Sequence, residues 1–159
     1  MNNMRSNEID KFFLSGLISQ VINKQSKLLI IDNAIPGMGV VTNLLEQFKE
    51  STLVLNKDYI YTTADDKNTL SDLIELLKEE APKDGIVIID DSDEFLENAE
   101  CINVFKSLTD SGICHVMSKS INETIEFTGS FILVARHLDR NKMIDSLISR
   151  GTDFTVEAD

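Results

Sequence analysis

A turn with two glycines is the first part of this sequence whose residue types could do chemistry. It follows residues 27–32, KLLIID, a run that is typical of a buried strand. Apolar spacing after the turn predicts a helix from residue 40 to residue 48. Glycines between a strand and a helix let backbone N–H groups surround a phosphate anion. The residues that match the pattern of such a loop are Ala34, Gly37 and Gly39, with Pro36 also in a familiar place.

The turn lacks the two side chains that phosphate chemistry requires. A working loop adds a lysine, which neutralises the outer phosphates, and then a serine or threonine, whose hydroxyl binds magnesium. This sequence has Val40 and Val41 at those positions, and Thr42 comes one residue too late. Losing one charge-assisted contact to a phosphate costs about 1.5–3 kcal/mol. We therefore expect either a degenerate phosphate loop without catalysis or a plain glycine turn.

Acidic residues stand after two further apolar runs. Asp90 and Asp91 end the run GIVIIDD, and Asp65 and Asp66 follow YIYTT and one alanine. In hydrolases with a phosphate loop, an apolar strand ends in an aspartate that binds magnesium, and Asp90 and Asp91 have this form. The same acids are equally compatible with a solvated loop, in which carboxylates favour the start of a helix. The sequence leaves both interpretations open.

Three segments together resemble the RecA/KaiC-like group of phosphate-loop ATPases. They are LLIIDNAIPGMG, YIYTTADD and GIVIIDDSDEFLE, and the resemblance covers about residues 27–136, most of the chain. The resemblance implies a parallel core sheet, assembly into rings or filaments, and ATP at subunit boundaries. It also implies that Asp65 or Asp66 lies near the acid that activates the attacking water. The departures at Val40 and Val41 remove the expectation of ATP but not the expectation of assembly.

Periodic patterns predict the elements that would position these residues. Strands are expected at 27–32, 51–55, 58–63, 85–91, 113–118 and 130–136. Helices are expected at about 8–22, 40–48, 65–81, 98–111 and 139–150, before an acidic tail at 152–159. Asp65, Asp66 or Asn68 is expected to cap the helix that ends before Pro82, and Gly112 to end the next one.

Alternating strands and helices, with nearly continuous apolar strands, are typical of a parallel sheet covered on both faces. We therefore expect a single α/β domain, a three-layer sandwich with a mainly parallel central sheet and a core at about 27–136. The resemblance implies that this is a RecA-like P-loop NTPase fold. Ligands of such folds bind at the carboxyl ends of the strands, where the glycines and acids of this sequence lie.

The charge balance narrows the class of partner. The chain of 159 residues has 15 basic and 27 acidic residues, a formal net charge of −12. Duplex nucleic-acid binding needs clustered lysine and arginine, so this composition argues against it. The resemblance to RecA/KaiC-like ATPases implies protein partners instead, in a homo- or hetero-oligomer.

The two cysteines, Cys101 and Cys114, lie in apolar surroundings without a metal-ligand spacing. We expect buried free thiols in a reducing compartment. His115 follows Cys114 directly, and neighbours in a strand point to opposite faces, so a catalytic pair is not expected. With no long apolar run and no signal-peptide core, the predicted location is cytoplasmic or nuclear.

Three functional hypotheses follow. The first is a catalytically inactive pseudo-ATPase subunit that acts through protein–protein interaction, with no catalytic residue, metal or cofactor. The second is a KaiC-like regulator that binds ATP or ADP. The third rests on the D-x-D pair Asp91 and Asp93, which resembles the magnesium-binding element of Toprim nucleic-acid enzymes, with Asp32 as the additional acid. Arg136 ends the last predicted strand, where its cation could reach a phosphate.

Overall fold

The computed structural model describes residues 3–33 and 58–155, together with residues 46 and 50; for residues 3–12 only the backbone is described. The helices of this part are α1 (Asn3–Ile22), α2 (Leu70–Glu75, which continues as a π-helix over Leu76–Glu80), α3 (Ala99–Ser111) and α4 (Lys142–Ile148). A 3-10 turn covers Phe95–Glu97. The strands are β1 (Leu28–Asp32), β2 (Tyr59–Thr63), β3 (Ile86–Asp90), β4 (Ile113–Met117), β5 (Asn122–Glu126), β6 (Ser130–Ala135) and β7 (Thr152–Thr155).

Five of the described strands form one sheet, in the order β2-β3-β6-β1-β7. Every pair in it is parallel, with Ile30 of β1 opposite Leu133 of β6 and Ile88 of β3 opposite Ile132. The carboxyl ends of all five strands therefore lie at the same end of the sheet. The prediction of an α/β fold with a mainly parallel central sheet is confirmed.

Helices cover both faces of this sheet. Alternate side chains of β1, such as Leu29 and Ile31, pack against α1 through Ile18 and Val21. The intervening side chains, such as Leu28 and Ile30, belong to a second core with α2, α3 and α4. The crossovers that contain α2, α3 and α4 all step in one direction across the sheet and lie on one face, as right-handed connections require. The result is the predicted three-layer arrangement.

Helix boundaries differ from the predicted ones where caps decide them. The first helix begins at Asn3, earlier than residue 8. For α2 the predicted caps are wrong, because Thr69 is the cap: its hydroxyl accepts from the N–H of Asp72, and the Asp72 carboxylate accepts from the N–H of Thr69. The last helix is shorter than 139–150, since the Asn141 side chain caps it at Lys142. The predicted end of α3 at Gly112 is confirmed, with φ 75°.

The prediction of an acidic tail at 152–159 is wrong for Thr152–Thr155, which form β7 at one side of β1. This strand has a physical basis in its branched and aromatic residues, since Phe154 packs against the core on the α1 side of the sheet. Its acidic residue, Asp153, instead pairs with Arg140 at 2.9 Å. Residues 156–159 lie outside the described part of the chain.

The predicted strand at 113–118 belongs to a different sheet. It pairs antiparallel with β5, a strand that the sequence patterns did not predict, to form a two-stranded hairpin. Cys114, Val116 and Ile125 are buried on its inner face, while the intervening residues are exposed. This alternation is typical of an antiparallel pair with one face in water.

Both cysteines are buried free thiols, as predicted. Burial raises the pKa of the Cys101 thiol to about 12. Cys114 is buried and His115 is exposed, so the two side chains do lie on opposite faces of β4. No helix in the described ranges is long and apolar enough to cross a membrane.

Candidate functional site

The strand order places a topological switch point between β1 and β6, two adjacent strands whose connections leave in opposite directions. Among the described strands, the one that follows β1 in the chain is β2, which lies beyond β6 and β3, whereas the chain that leaves β6 crosses β1 to reach β7. Ligands of open α/β sheets bind at such a point, outside the carboxyl ends of the strands. Backbone bonds tie the ends together here: Asn33 N–H donates to the Ala135 carbonyl at 2.6 Å, and Ser92 N–H donates to the Val134 carbonyl at 2.9 Å.

Asp91 lies at the centre of the polar groups at this end of the sheet. It follows β3 in the left-handed region, with φ 51°, a conformation that aspartate tolerates better than most residues. Its Oδ1 pairs with Nε of Arg136 at 3.1 Å, and its Oδ2 accepts from the Thr63 hydroxyl at 3.4 Å. It also shares a carboxyl–carboxyl hydrogen bond with Asp65. The ends of β2, β3 and β6 therefore converge on this one side chain.

The environment of Asp91 disfavours its charge. Burial raises the pKa of its carboxyl group above the ordinary value, and the hydrogen bond with Asp65 raises it further. The guanidinium group of Arg136 acts in the opposite direction and does not cancel the effect of burial.

Asp90 is bound by protein donors on both oxygens. Its Oδ2 accepts from the Tyr61 hydroxyl at 2.9 Å, and its Oδ1 accepts from the N–H of Asp91 at 2.9 Å. Burial, with the hydrogen bond to Asp90 next in importance, raises the pKa of Tyr61 to about 12. Tyr61 consequently stays protonated and remains a donor to Asp90 at any physiological pH.

Asp93 serves the backbone of the chain that leaves β6. Its carboxylate accepts from the N–H of Arg136 at 3.0 Å and from the N–H of His137 at 2.7 Å. Its neighbour Ser92 is buried and donates its hydroxyl to the Ile89 carbonyl at 2.7 Å. The D-x-D pair is thus divided: Asp91 faces Arg136 and Asp65, while Asp93 caps two amides.

Two oxygens beside the switch point lack a donor in the part of the chain that the structure describes. They are Oδ1 of Asp32 and Oδ1 of Asn33, and both atoms are buried. A buried acceptor without a hydrogen bond costs about 1–3 kcal/mol, so these atoms favour a donor or a cation. Within the same residues, no group of three or more histidine, cysteine or acidic side chains could hold a metal ion.

The predicted site residues have different outcomes. Asp65, Asp90 and Asp91 do come together, while Asp66 is an exposed neighbour. The degenerate loop (Ala34, Pro36, Gly37, Gly39, Val40 and Val41) lies outside the described residues, so its role stays a prediction. Sequence reasoning missed Tyr61 and Thr63. The available signal was their spacing of two along β2, which places both side chains on one face of the strand.

Comparison with known proteins shows the fold. No family model and no curated protein matches the chain. Among solved structures, it is similar to domain III of the Thermotoga maritima replication initiation protein DnaA, with a TM-score of 0.56 at 15% identity. The chain has a P-loop ATPase-like fold. The similarity covers 93% of this chain and 62% of the DnaA structure, so the chain spans less than two thirds of the structure it matches. The RecA/KaiC-like subgroup stays a prediction within the P-loop ATPase-like fold.

Proposed function

We propose that this chain is a P-loop ATPase-like domain that does not hydrolyse nucleotide and acts by binding protein partners, as one subunit of a homo- or hetero-oligomer. The observation that carries the proposal is the ion pair between Arg136 and Asp91, 3.1 Å long, at the carboxyl end of β3. In P-loop NTPases an aspartate at the end of such a strand helps to bind the magnesium of the nucleotide. In this chain the guanidinium group of Arg136 pairs with that carboxylate instead.

The neighbouring carboxylates support the same conclusion. Asp90 accepts from Tyr61 and from a backbone amide, and Asp93 accepts from two further amides. To bind magnesium, Asp90 would exchange the Tyr61 hydroxyl for the metal, and Asp91 would exchange Arg136. Each exchange gives up a hydrogen bond or an ion pair that the carboxylate already has, which opposes metal binding.

The glycine turn adds independent support from sequence. Val40 and Val41 replace the lysine and the hydroxyl residue that a triphosphate and its magnesium require. These two departures, one in the sequence of the loop and one in the contacts at the end of β3, concern different parts of the nucleotide site that the resemblance implies. Together they favour a scaffold role without a catalytic residue, metal or cofactor over the ATP- or ADP-binding regulator.

A second candidate, the Toprim-like magnesium enzyme, is favoured by one specific observation. The buried Oδ1 atoms of Asp32 and Asn33 lack a donor among the described residues, and carboxylate and amide oxygens are ligands that magnesium prefers. Against it stands Asp93, because the carboxylate that this hypothesis requires already accepts from the amides of Arg136 and His137.

Thermal melting and a phosphate-release assay test the proposal. A ligand at about 100 times its Kd stabilises a protein by about 2.7 kcal/mol, which is about 5–10 °C for a domain of this size. We expect no such rise in Tm with Mg-ATP or Mg-ADP, no phosphate release, and a mass in cell extract above that of the monomer. A rise of that size with nucleotide, or phosphate release that Asp90→Asn abolishes, would overturn the proposal. A rise with Mg²⁺ alone that Asp32→Asn removes would establish the second candidate instead.

A further inference from the structure

In the hairpin of β4 and β5, the pairing register decides which residues bond to the partner strand and which direct their backbone groups outward. In an antiparallel pair, alternate residues direct their backbone N–H and C=O groups toward the partner strand or away from it. Phe127 N–H donates to the Gly112 carbonyl at 2.9 Å, and Ser118 N–H donates to the Ile121 carbonyl at 2.8 Å. Both bonds belong to the register of the hairpin, in which Cys114 stands opposite Ile125. Even-numbered residues of β4 therefore bond to β5, and odd-numbered ones direct their backbone groups outward.

Two of the three outward-directed residues of β4 have backbone groups without a partner in the described part of the chain. The hydroxyl of Ser111 donates to the Ile113 carbonyl at 3.1 Å and accepts from the Ile113 N–H at 3.4 Å. The outward N–H and C=O groups of His115 and Met117 have no protein partner among the described residues. They form a short, open strand edge that can pair with another extended chain.

The exposed face of β4 is apolar as well. Ile113 is 45% exposed and Met117 is 78% exposed, and His115 lies between them. No side chain of β4 carries a formal charge, whereas β5 has Glu123 and Glu126. Natural proteins usually protect edge strands with charged residues, because a free edge invites pairing. β4 lacks this protection.

The opposite strand of the hairpin, β5, has charged side chains that β4 lacks. Glu123 of β5 forms an ion pair with Lys78, so this strand lies against the π-helix that continues α2. Of the two strands, β4 therefore combines free backbone groups with exposed apolar side chains and without a neighbouring ion pair.

We infer that β4 is the docking edge for an extended segment of a partner protein, which adds to the hairpin as a third strand. This inference rests on the proposed role as a protein-binding domain and names the chemistry of the partner. Charge selects that chemistry, because the chain has a net charge of −12. The partner strand alternates apolar residues, which cover Ile113 and Met117, with lysine or arginine. A second copy of this chain would bring the same −12 and is disfavoured.

The probe that tests this inference is a synthetic, end-capped peptide of about seven residues that alternates valine with lysine. Amide chemical shifts of the full chain are recorded by NMR during titration with the peptide. We expect saturable shifts that centre on His115 and Met117. A valine–glutamate peptide and a valine–lysine peptide N-methylated on alternate backbone nitrogens should each bind about tenfold more weakly or not at all, since they lose the charge match and the hydrogen bonds.

The hairpin offers a matched pair of variants. His115 and Thr124 stand opposite each other, both direct their N–H groups outward, and their side chains share one hydrogen bond of 2.9 Å. Proline at either position removes an outward N–H without removing a ladder bond. His115→Pro should weaken the valine–lysine peptide about tenfold, and Thr124→Pro should leave its affinity within about twofold.

The outcomes separate this inference from the proposed function. Shifts that centre on β5 or elsewhere, equal binding of the N-methylated peptide, or no saturable binding would each overturn the docking edge. A dimer through β4, detected as a concentration-dependent mass that His115→Pro abolishes, would also overturn it in favour of a second copy. If His115→Pro does not fold, the N-methylated peptide decides with the unaltered chain. None of these results depends on nucleotide. The proposed lack of hydrolysis is tested separately, by melting and phosphate release with nucleotide.

Discussion

Replacing Asp93 tests whether its carboxylate is structural or a metal ligand. It accepts hydrogen bonds from the amides of Arg136 and His137, at 3.0 and 2.7 Å. A hydrogen bond to a charged group contributes about 1.5–3 kcal/mol. The side chain is half-buried, and water can satisfy part of the freed amides. We therefore take the lower figure for each bond and expect Asp93→Ala to lower the free energy of unfolding by about 3 kcal/mol.

The assay is urea unfolding followed by circular dichroism, with thermal melting alongside. For a domain of this size, a loss of about 3 kcal/mol lowers Tm by about 6–12 °C. Glu94→Ala is the matched control, since Glu94 is the adjacent exposed carboxylate, and it should change stability by less than about 0.5 kcal/mol. Asp93→Asn keeps an acceptor oxygen and should fall between the two.

The effect of Asp93→Ala should be the same with EDTA and with millimolar magnesium. If Asp93→Ala unfolds at the same urea concentration as Glu94→Ala, the capping role is wrong. If magnesium stabilises the unaltered chain and Asp93→Ala removes that stabilisation, the carboxylate is a metal ligand instead.

Three further predictions concern other parts of the chain. Because the folded-state pKa of Asp91 is raised, its carboxyl group contributes stability that is complete below the unfolded value near 3.8 and is lost as pH rises through the folded value. The stability of Asp91→Asn relative to the unaltered chain, measured by urea unfolding, should therefore improve as pH rises from about 4 to 7; a constant difference would contradict the raised pKa. Cys101 and Cys114 should resist iodoacetamide at pH 8 in the folded chain and react on unfolding, as mass spectrometry would detect, because burial raises both thiol pKa values; rapid labelling of the native protein would refute this. Gly112→Ala should lower the free energy of unfolding by about 1–2 kcal/mol, because alanine is strained at φ 75°. Gly16→Ala has open space at its Cβ position in α1 and should leave that free energy unchanged or raise it. Equal urea midpoints for the two variants would contradict the need for a left-handed residue at position 112.

The elements that sequence patterns predicted well are those with strong local signals. The apolar runs of β1, β3 and β6 are buried at almost every position and appear as near-continuous aliphatic stretches. The strands that were missed, β5 and β7, have polar residues at most positions. Their stability comes from pairing with β4 and β1, which no local pattern encodes.

The sequence predicted at which end of the sheet the acidic residues lie, but it predicted only some of their hydrogen-bond partners. Because parallel strands end together, Asp65, Asp90 and Asp91 could be expected at one end of the sheet, and the structure brings them there. Nothing in the pattern DDSDEF distinguishes Asp93 from Asp91. The difference arises because the chain after β6 runs beside β3, which places two free amides next to Asp93.

The sequence by itself determined an α/β domain with a mainly parallel sheet, acids at the carboxyl ends of its strands, and two valines where a phosphate loop needs a lysine and a hydroxyl. Only the tertiary structure decided which donors those acids meet. Tyr61 reaches Asp90 across 29 residues of sequence, and the amide of Arg136 reaches Asp93 across 43. The physical reason is strand order: side-chain periodicity selects the buried face of each strand, whereas the neighbours of a strand follow from how all the layers pack together.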